Sequence, residues 1–198
     1  QSFFARLQGK MPPEDILDVE LGYAVAKHAH RHDRRKQIDP ATGKPIRYFE
    51  HPRHATLILI DLVECYVPSL IIGMLLHDTI EDTTAVNFAK IKRWFGREIA
   101  DMVLLMSKLP ERKDYCFTEL LKAGDWRVWL LKGCDRLHNL RTLDAGSPEF
   151  IQRQIKETRE IYLPLMDRLL SSCPQTLYNG IFRLKTAILD IVDKHETF

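Results

Sequence analysis

The stretch Gly73–Thr83, GMLLHDTIEDT, is the feature that most constrains how this chain folds. Seven apolar or small residues, Leu70 to Leu76, run directly into His77 and Asp78. Glu81 and Asp82 follow one helical turn later. A segment that apolar belongs in a core, whereas ionised groups leaving it need water, partners or a metal. The fold must bury the run and still provide four ionisable groups with a polar surrounding. With Pro68 at its start, the run reads as a buried helix ending near His77-Asp78.

The rest of the chain reads as helices separated by proline and glycine. Pro12-Pro13-Glu14-Asp15 predicts a helix over about 14–31, with acids in its first turn. Residues 32–50, including Asp39-Pro40 and Gly43, form a loop by their turn residues, with room for short strands in 38–50. His51-Pro52 opens the next helix. Further helices are expected at 86–95 (closed by Gly96), 97–108 (ended by Pro110), 114–123, 125–143, 149–171 and 175–195. The expected class is all-α: one domain over 1–198, about eight to ten helices, with a core of about 14–171 and a C-terminal helix. No internal repeat or low-complexity segment is visible.

Composition narrows the function classes. The 198 residues are 45% hydrophobic and 28% charged with a net charge of +2. That balance is too mild for general nucleic-acid or membrane binding, and neither partner is expected. Cys65, Cys116, Cys134 and Cys173 form no C-x-x-C pair, so they read as free, buried thiols of a reducing compartment. No signal-like stretch opens the sequence and no apolar run nears the ~20 residues of a membrane helix. The expected location is cytoplasmic.

Chemistry concentrates at helix ends. His51 heads one helix, His77-Asp78 close the next, and Asp135 lies inside the apolar WRVWLLKGCDRLHNL. Two imidazoles and two carboxylates suit a borderline divalent ion such as Mn²⁺, Fe²⁺ or Zn²⁺. Four protein ligands on an octahedral ion leave positions for water or substrate. A capping role for His51 and an ion pair for Asp135 are the plainer alternatives, and both stay open at this point. Glu81 and Asp82 read as groups that position or deprotonate a water at the metal. Alternatively they are first-turn acids of the following helix, with Thr83-Thr84 as its N-cap. Arg34-Arg35-Lys36 offers phosphate contacts, or is a solvated charge run. Asn139, four residues after Asp135, shares its helix face. Lys108 sits at a helix C-terminus.

Five pieces occur in order across Phe49–Leu169: HP, LLHDTIEDT, FGREIADMV, DRLHNLRTL and ETREIYLPLMDRL. Together they resemble the hydrolase domain of the RelA/SpoT-type alarmone enzymes, within the HD-domain phosphohydrolases. The HD dipeptide alone is weak, but HDTIEDT with DRLHNLRTL and EIYLPL in that order is specific. With no room after the last piece for a synthetase domain, the resemblance implies a small alarmone hydrolase standing alone.

It also implies removal of the 3′-pyrophosphate from ppGpp or pppGpp with Mn²⁺ in the site, other divalent ions being an alternative. Carried over by position, His51, His77, Asp78 and Asp135 match metal ligands, and Glu81 and Asp82 the acidic pair. Arg35, Lys36, Lys108, Asn139, Thr142 and Tyr162 match substrate-binding positions. The segment QIDPATGKPIRYFE is longer than the usual link before the first ligand, and KGCDRLHN replaces a more usual KLADRLHN, a difference of packing. The base, guanine or adenine, is not decided by these residues. Competing readings are a phosphohydrolase of NADPH or other nucleotides, an alarmone-binding sensor, and a purely structural helical domain.

Overall fold

Pro and Gly divide the chain into helices, and two of these, buried on nearly every side, organise the rest. The computed structural model describes residues 2–108, 124–143 and 146–196. In chain order the longer elements are α1 (Pro13–Ala29), strands β1 (Arg34–Ile38) and β2 (Pro45–Arg47), α2 (Glu50–Leu57), α3 (Pro68–Leu76), the single turn α4 (Thr79–Asp82), α5 (Phe88–Phe95) and α6 (Arg97–Met106). After these come α7 (Trp126–Leu140), α8 (Pro148–Glu157), α9 (Leu163–Ser172) and α10 (Tyr178–Glu196). The all-helical reading holds apart from one small hairpin. The helix expected near 114–123 and Cys116 lie outside the described residues.

Helix starts follow local chemistry. Pro13, Pro68 and Pro148 occupy the first helical position, where a missing N–H costs nothing. Asn87, Asp125 and Ser147 cap α5, α7 and α8 by accepting backbone N–H groups. Asn87, not Thr83-Thr84, is therefore the cap of α5, and Glu81 and Asp82 belong to their own turn, α4. Gly96 takes φ +86° between α5 and α6, a conformation that side chains other than glycine's rarely tolerate.

Two expected straight helices widen into π turns, at Ile58–Leu62 after α2 and at Thr158–Tyr162 between α8 and α9. In the second case Pro164 cannot donate back along the helix, and the wider turn precedes it. The expected 32–50 loop contains the antiparallel pair β1–β2, Arg34 opposite Arg47 and Ile38 opposite Pro45. The hairpin closes through Asp39 N–H donating to the Lys44 carbonyl at 2.9 Å, while Asp39 Oδ1 accepts from Ala41 N–H. Its strand RRKQI has no apolar alternation, so periodicity has nothing to detect.

Every residue of α3 from Leu70 to Leu76 is buried. It packs against α1, α2, α6 and α7, and α7 packs in turn against α2, α6, α9 and α10. Gly133 of α7 allows a close approach: a Cβ there would meet Met166 at 2.9 Å and Leu184 at 3.1 Å. Burial of this aliphatic core, at roughly 25 cal/mol per Å² of apolar surface, is the main stabilising term. Among the described residues the cysteines are free thiols; Cys65 and Cys134 are buried and Cys173 is half-buried. No described helix is long and apolar enough to cross a membrane.

Candidate active site

The two central helices converge with the start of α2, and their polar residues meet there. His51 lies in the first turn of α2, His77 caps the C-terminus of α3, Asp78 follows it, and Asp135 faces them from the middle of α7. Ligand atoms of His51, His77 and Asp78 lie within 4.8 Å of one another. His51 Nε2 is 3.4 Å from Asp78 Oδ2 and 3.2 Å from Asp135 Oδ1. His77 Nε2 is 3.0 Å from Asp78 Oδ1 and 3.8 Å from Asp135 Oδ1. The fold thus brings together all four residues that the sequence picked from three separate segments.

Each imidazole is oriented by its other nitrogen. His77 Nδ1 bonds the Met74 carbonyl at 2.8 Å, so it carries the proton and leaves the Nε2 lone pair for the cluster. That Nε2 is buried with no hydrogen-bond partner among the described residues. His51 Nδ1 is 2.7 Å from His138 Nδ1. One proton serves both atoms: a His51 that presents an Nε2 lone pair must donate from Nδ1, and His138 must accept. His138 is suited to accept, because burial, then His51 and Arg35, hold its pKa down to about 3 and keep it neutral. The carboxylates are also held, Asp135 Oδ1 by Asn139 Nδ2 at 2.7 Å and Asp78 Oδ2 by the Tyr48 hydroxyl at 2.9 Å.

The electrostatics call for a cation at this point. Burial would raise Asp78 and Asp135, but the His77 and His51 rings outweigh it, and both stay ionised well below the usual carboxylate range. Burial would lower His77, yet the two carboxylates push it up to about 10: without an ion, a proton on Nε2 meets their charge, and a bound cation would take that proton's place. Two imidazole Nε2 atoms, that of His77 buried without a hydrogen bond among the described residues, and two ionised carboxylates fit a divalent ion of the Mn²⁺–Zn²⁺ range. Tyr48, half-buried beside Asp78 and Asp82, is pushed far above its ordinary value by desolvation and by these carboxylates, and donates only as a neutral phenol.

These groups open on a cavity of about 730 Å³, the size of a nucleotide pocket. His51, Asp78, Asp135 and Glu81 form its floor. Arg35 and Lys36 enter from β1, Asn139 and Thr142 from the end of α7, and Lys108 from beyond α6. Glu81 Oε2 accepts the Lys108 backbone N–H at 2.6 Å. Desolvation, then Asp78 and Asp82, raise the Glu81 pKa, which suits a proton acceptor. Asp82 is raised by desolvation too, against its Tyr48 contact, and it is not part of the cavity lining.

Two expectations resolve differently from the others. His77 lies behind the floor, 1% exposed, and reaches the cluster through Nε2 alone. Tyr162, expected against substrate, is 5% exposed and does not line the cavity. Its ring lies 3.7 Å from the Arg136 guanidinium, which is buried and bonded to Gln154 and Glu157. Tyr162 is the last residue of the π turn. Sequence reasoning also passed over Tyr48, Lys132, His138 and Gln154. Of these only Lys132 and His138 carried a signal, lying at −3 and +3 from Asp135 on one helix face.

The chain is 32% identical over 195 residues to the bifunctional (p)ppGpp synthase/hydrolase SpoT of Escherichia coli (strain K12), covering 93% of this chain and 25% of that one. It is 37% identical over 190 residues to a guanosine-3′,5′-bis(diphosphate) 3′-pyrophosphohydrolase of Aquifex aeolicus (strain VF5), covering 92% and 24%. The chain therefore spans about a quarter of the length of the curated relatives it matches. A solved structure of a metazoan ortholog of SpoT that hydrolyses ppGpp shares the fold: TM-score 0.66 at 23% identity, over 87% of this chain and 94% of that one. The family model described as HD domain matches residues 23–170, which contain the whole His/Asp cluster, and the chain belongs to the HD-domain family.

Proposed function

We propose that this chain is a metal-dependent hydrolase that removes the 3′-pyrophosphate of alarmone nucleotides, ppGpp and pppGpp first among them. One observation carries the reading: His51, Asp78, Asp135 and Glu81, with His77 just behind them, form the floor of a nucleotide-sized cavity whose walls hold Arg34, Arg35, Lys36 and Lys108. The names of the relatives support the same substrate class. The ion is Mn²⁺, held by His51, His77, Asp78 and Asp135. When bound, it supplies positive charge for the phosphates and acidifies a water.

The chain's own residues do the rest. Glu81 accepts a proton from the water that attacks the phosphorus next to O3′. The O3′–P bond breaks, the O3′ oxygen takes up a proton, and pyrophosphate leaves with the nucleoside 5′-di- or triphosphate. Asp82 tunes this through Tyr48. Arg35 and Lys36 hold phosphate, and Asn139 and Thr142 line the nucleoside side. Tyr162 acts by holding Arg136, not by touching substrate. The packing of α10 against Gly133 supports one HD-type unit that includes the C-terminal helix. A cytoplasmic setting fits the free thiols.

The test is incubation of Mn²⁺-loaded protein with ppGpp, pppGpp, ppApp and NADPH, with products resolved by anion exchange. The expected result is pyrophosphate from ppGpp and pppGpp. Phosphate from NADPH with no pyrophosphate from any alarmone would replace this reading with that of a different nucleotide phosphohydrolase.

A further inference from the structure

Lys132 differs from every other cation of the cavity. Arg34, Lys36 and Lys108 are exposed and Arg35 half-buried, whereas Lys132 is 4% exposed in the middle of α7. It stands on one helix face with Asp135 and Asn139, at spacings of three and seven residues, and all three line the cavity. Burying an ammonium is costly unless its donors are used. Lys132 Nζ donates one hydrogen bond, to the Met106 carbonyl at 2.6 Å. An ammonium has three N–H groups, and among the described residues Lys132 has no carboxylate within ion-pair distance. Its charge is nevertheless felt by Glu81, whose carboxylate it stabilises.

We propose that Lys132 is an anion-binding residue of the cavity, and that it takes the pyrophosphoryl group under attack. The cations of the cavity lining fall into two sets, its two poles, which share that lining with His51, Asp78 and Asp135. One is the hairpin, where Arg35 lies 5.9 Å from the Tyr48 ring. The other is Lys132 with Lys108, beside Glu81. A ligand with two pyrophosphoryl groups on one ribose places one at each pole. The group at the Glu81 pole is the one hydrolysed, and Lys132 holds it as a departing anion. This rests on the function proposed above, but it concerns the binding of inorganic pyrophosphate, which can be measured without turnover.

Lys132→Gln is the decisive variant. The Gln amide still donates toward Met106 and keeps the contact at the end of α6, while the charge is gone. Equilibrium dialysis at fixed free Mn²⁺, with inorganic pyrophosphate and with GDP, reads out the two poles separately. The expected result is at least a tenfold loss of pyrophosphate affinity, with GDP affinity within twofold of wild type. Lys132→Arg keeps the charge and retains pyrophosphate binding, and Arg35→Ala shows the opposite pattern. Wild-type pyrophosphate binding by Lys132→Gln overturns the proposal and leaves Lys132 as a cap on α6, as does equal loss of both ligands. Lys132-dependent pyrophosphate binding by a protein that hydrolyses no alarmone would refute the substrate assignment and keep the anion pole.

Discussion

The two walls of the cavity are built on opposite principles. The inner wall is built where the start of α2 and the C-terminal end of α3 meet α7; its functional side chains are each fixed by a named partner: His77 by Met74, His51 by His138, Asp135 by Asn139. The outer wall is the β1–β2 hairpin, exposed along alternate residues. It is tied to the inner wall where Gln37 donates to the Thr142 carbonyl at 3.0 Å. Groups that must converge on one point sit where packing permits little movement. Arg35 and Lys36, proposed to hold phosphate, sit on the more exposed segment. This is the usual division between rigid scaffold and binding loop.

The comparison breaks most visibly at the floor. Glu81→Gln should lower turnover by about 10²–10⁴-fold, the range for a general base, while Mn²⁺ stays bound. Asp78→Asn should do the reverse and release the ion; electron paramagnetic resonance of free Mn²⁺ separates the two. Turnover at the wild-type rate in Glu81→Gln would remove Glu81 from its role. Next in size is His138. Removing an outer partner of a metal ligand typically costs about 10–100-fold in affinity, so His138→Ala should weaken Mn²⁺ binding by that much. His138→Asn, with a carbonyl oxygen to accept from His51 Nδ1, should recover most of it; equal loss in both variants would mean that packing alone is at stake.

The outer wall should respond differently. Arg35→Ala should raise KM about tenfold through a lost charge-assisted contact, with Mn²⁺ affinity and melting temperature unchanged. A fall in Mn²⁺ affinity would mean that the hairpin helps build the inner wall. The smallest effect belongs to the scaffold. Asp125 caps α7 and pairs with Arg127. Asp125→Ala should cost about 1 kcal/mol, or some 2–4 °C in melting temperature. Burial raises the Asp125 pKa, but the hydrogen bonds from Arg127 prevail and lower it below the ordinary 3.8. Its contribution is therefore full above pH 3.8 and disappears as pH falls through the folded value. Thermal melts of wild type and variant should differ near pH 7 and converge in acid.

Much of this was readable in the chain. Pro13, Pro68 and Pro148 marked helix starts because their effect is confined to the residue itself and its neighbours. The apolar run before His77 predicted a buried α3, since no other setting accommodates seven such residues. Less visible were β1–β2, whose polar strand depends on the Asp39 turn, and the π turns, which arise from strain within otherwise ordinary helical pattern. Tyr162 illustrates the remaining gap. Its place in EIYLPL drew it toward substrate, but Arg136, from a helix 26 residues earlier in sequence, holds its ring.

By itself the sequence determined which residue types end the apolar helices, and so the candidate ligands, the acidic pair beside them and the helical class. These are local consequences of burial and charge. Only the tertiary structure decided that His138 supports His51, that Tyr48 holds Asp78, that Lys132 stands in the cavity wall and that Tyr162 does not. Such contacts join residues tens of positions apart, or turn on which face of a helix meets a neighbour. Both depend on how α3 and α7 pack, and that packing is a property of the whole core.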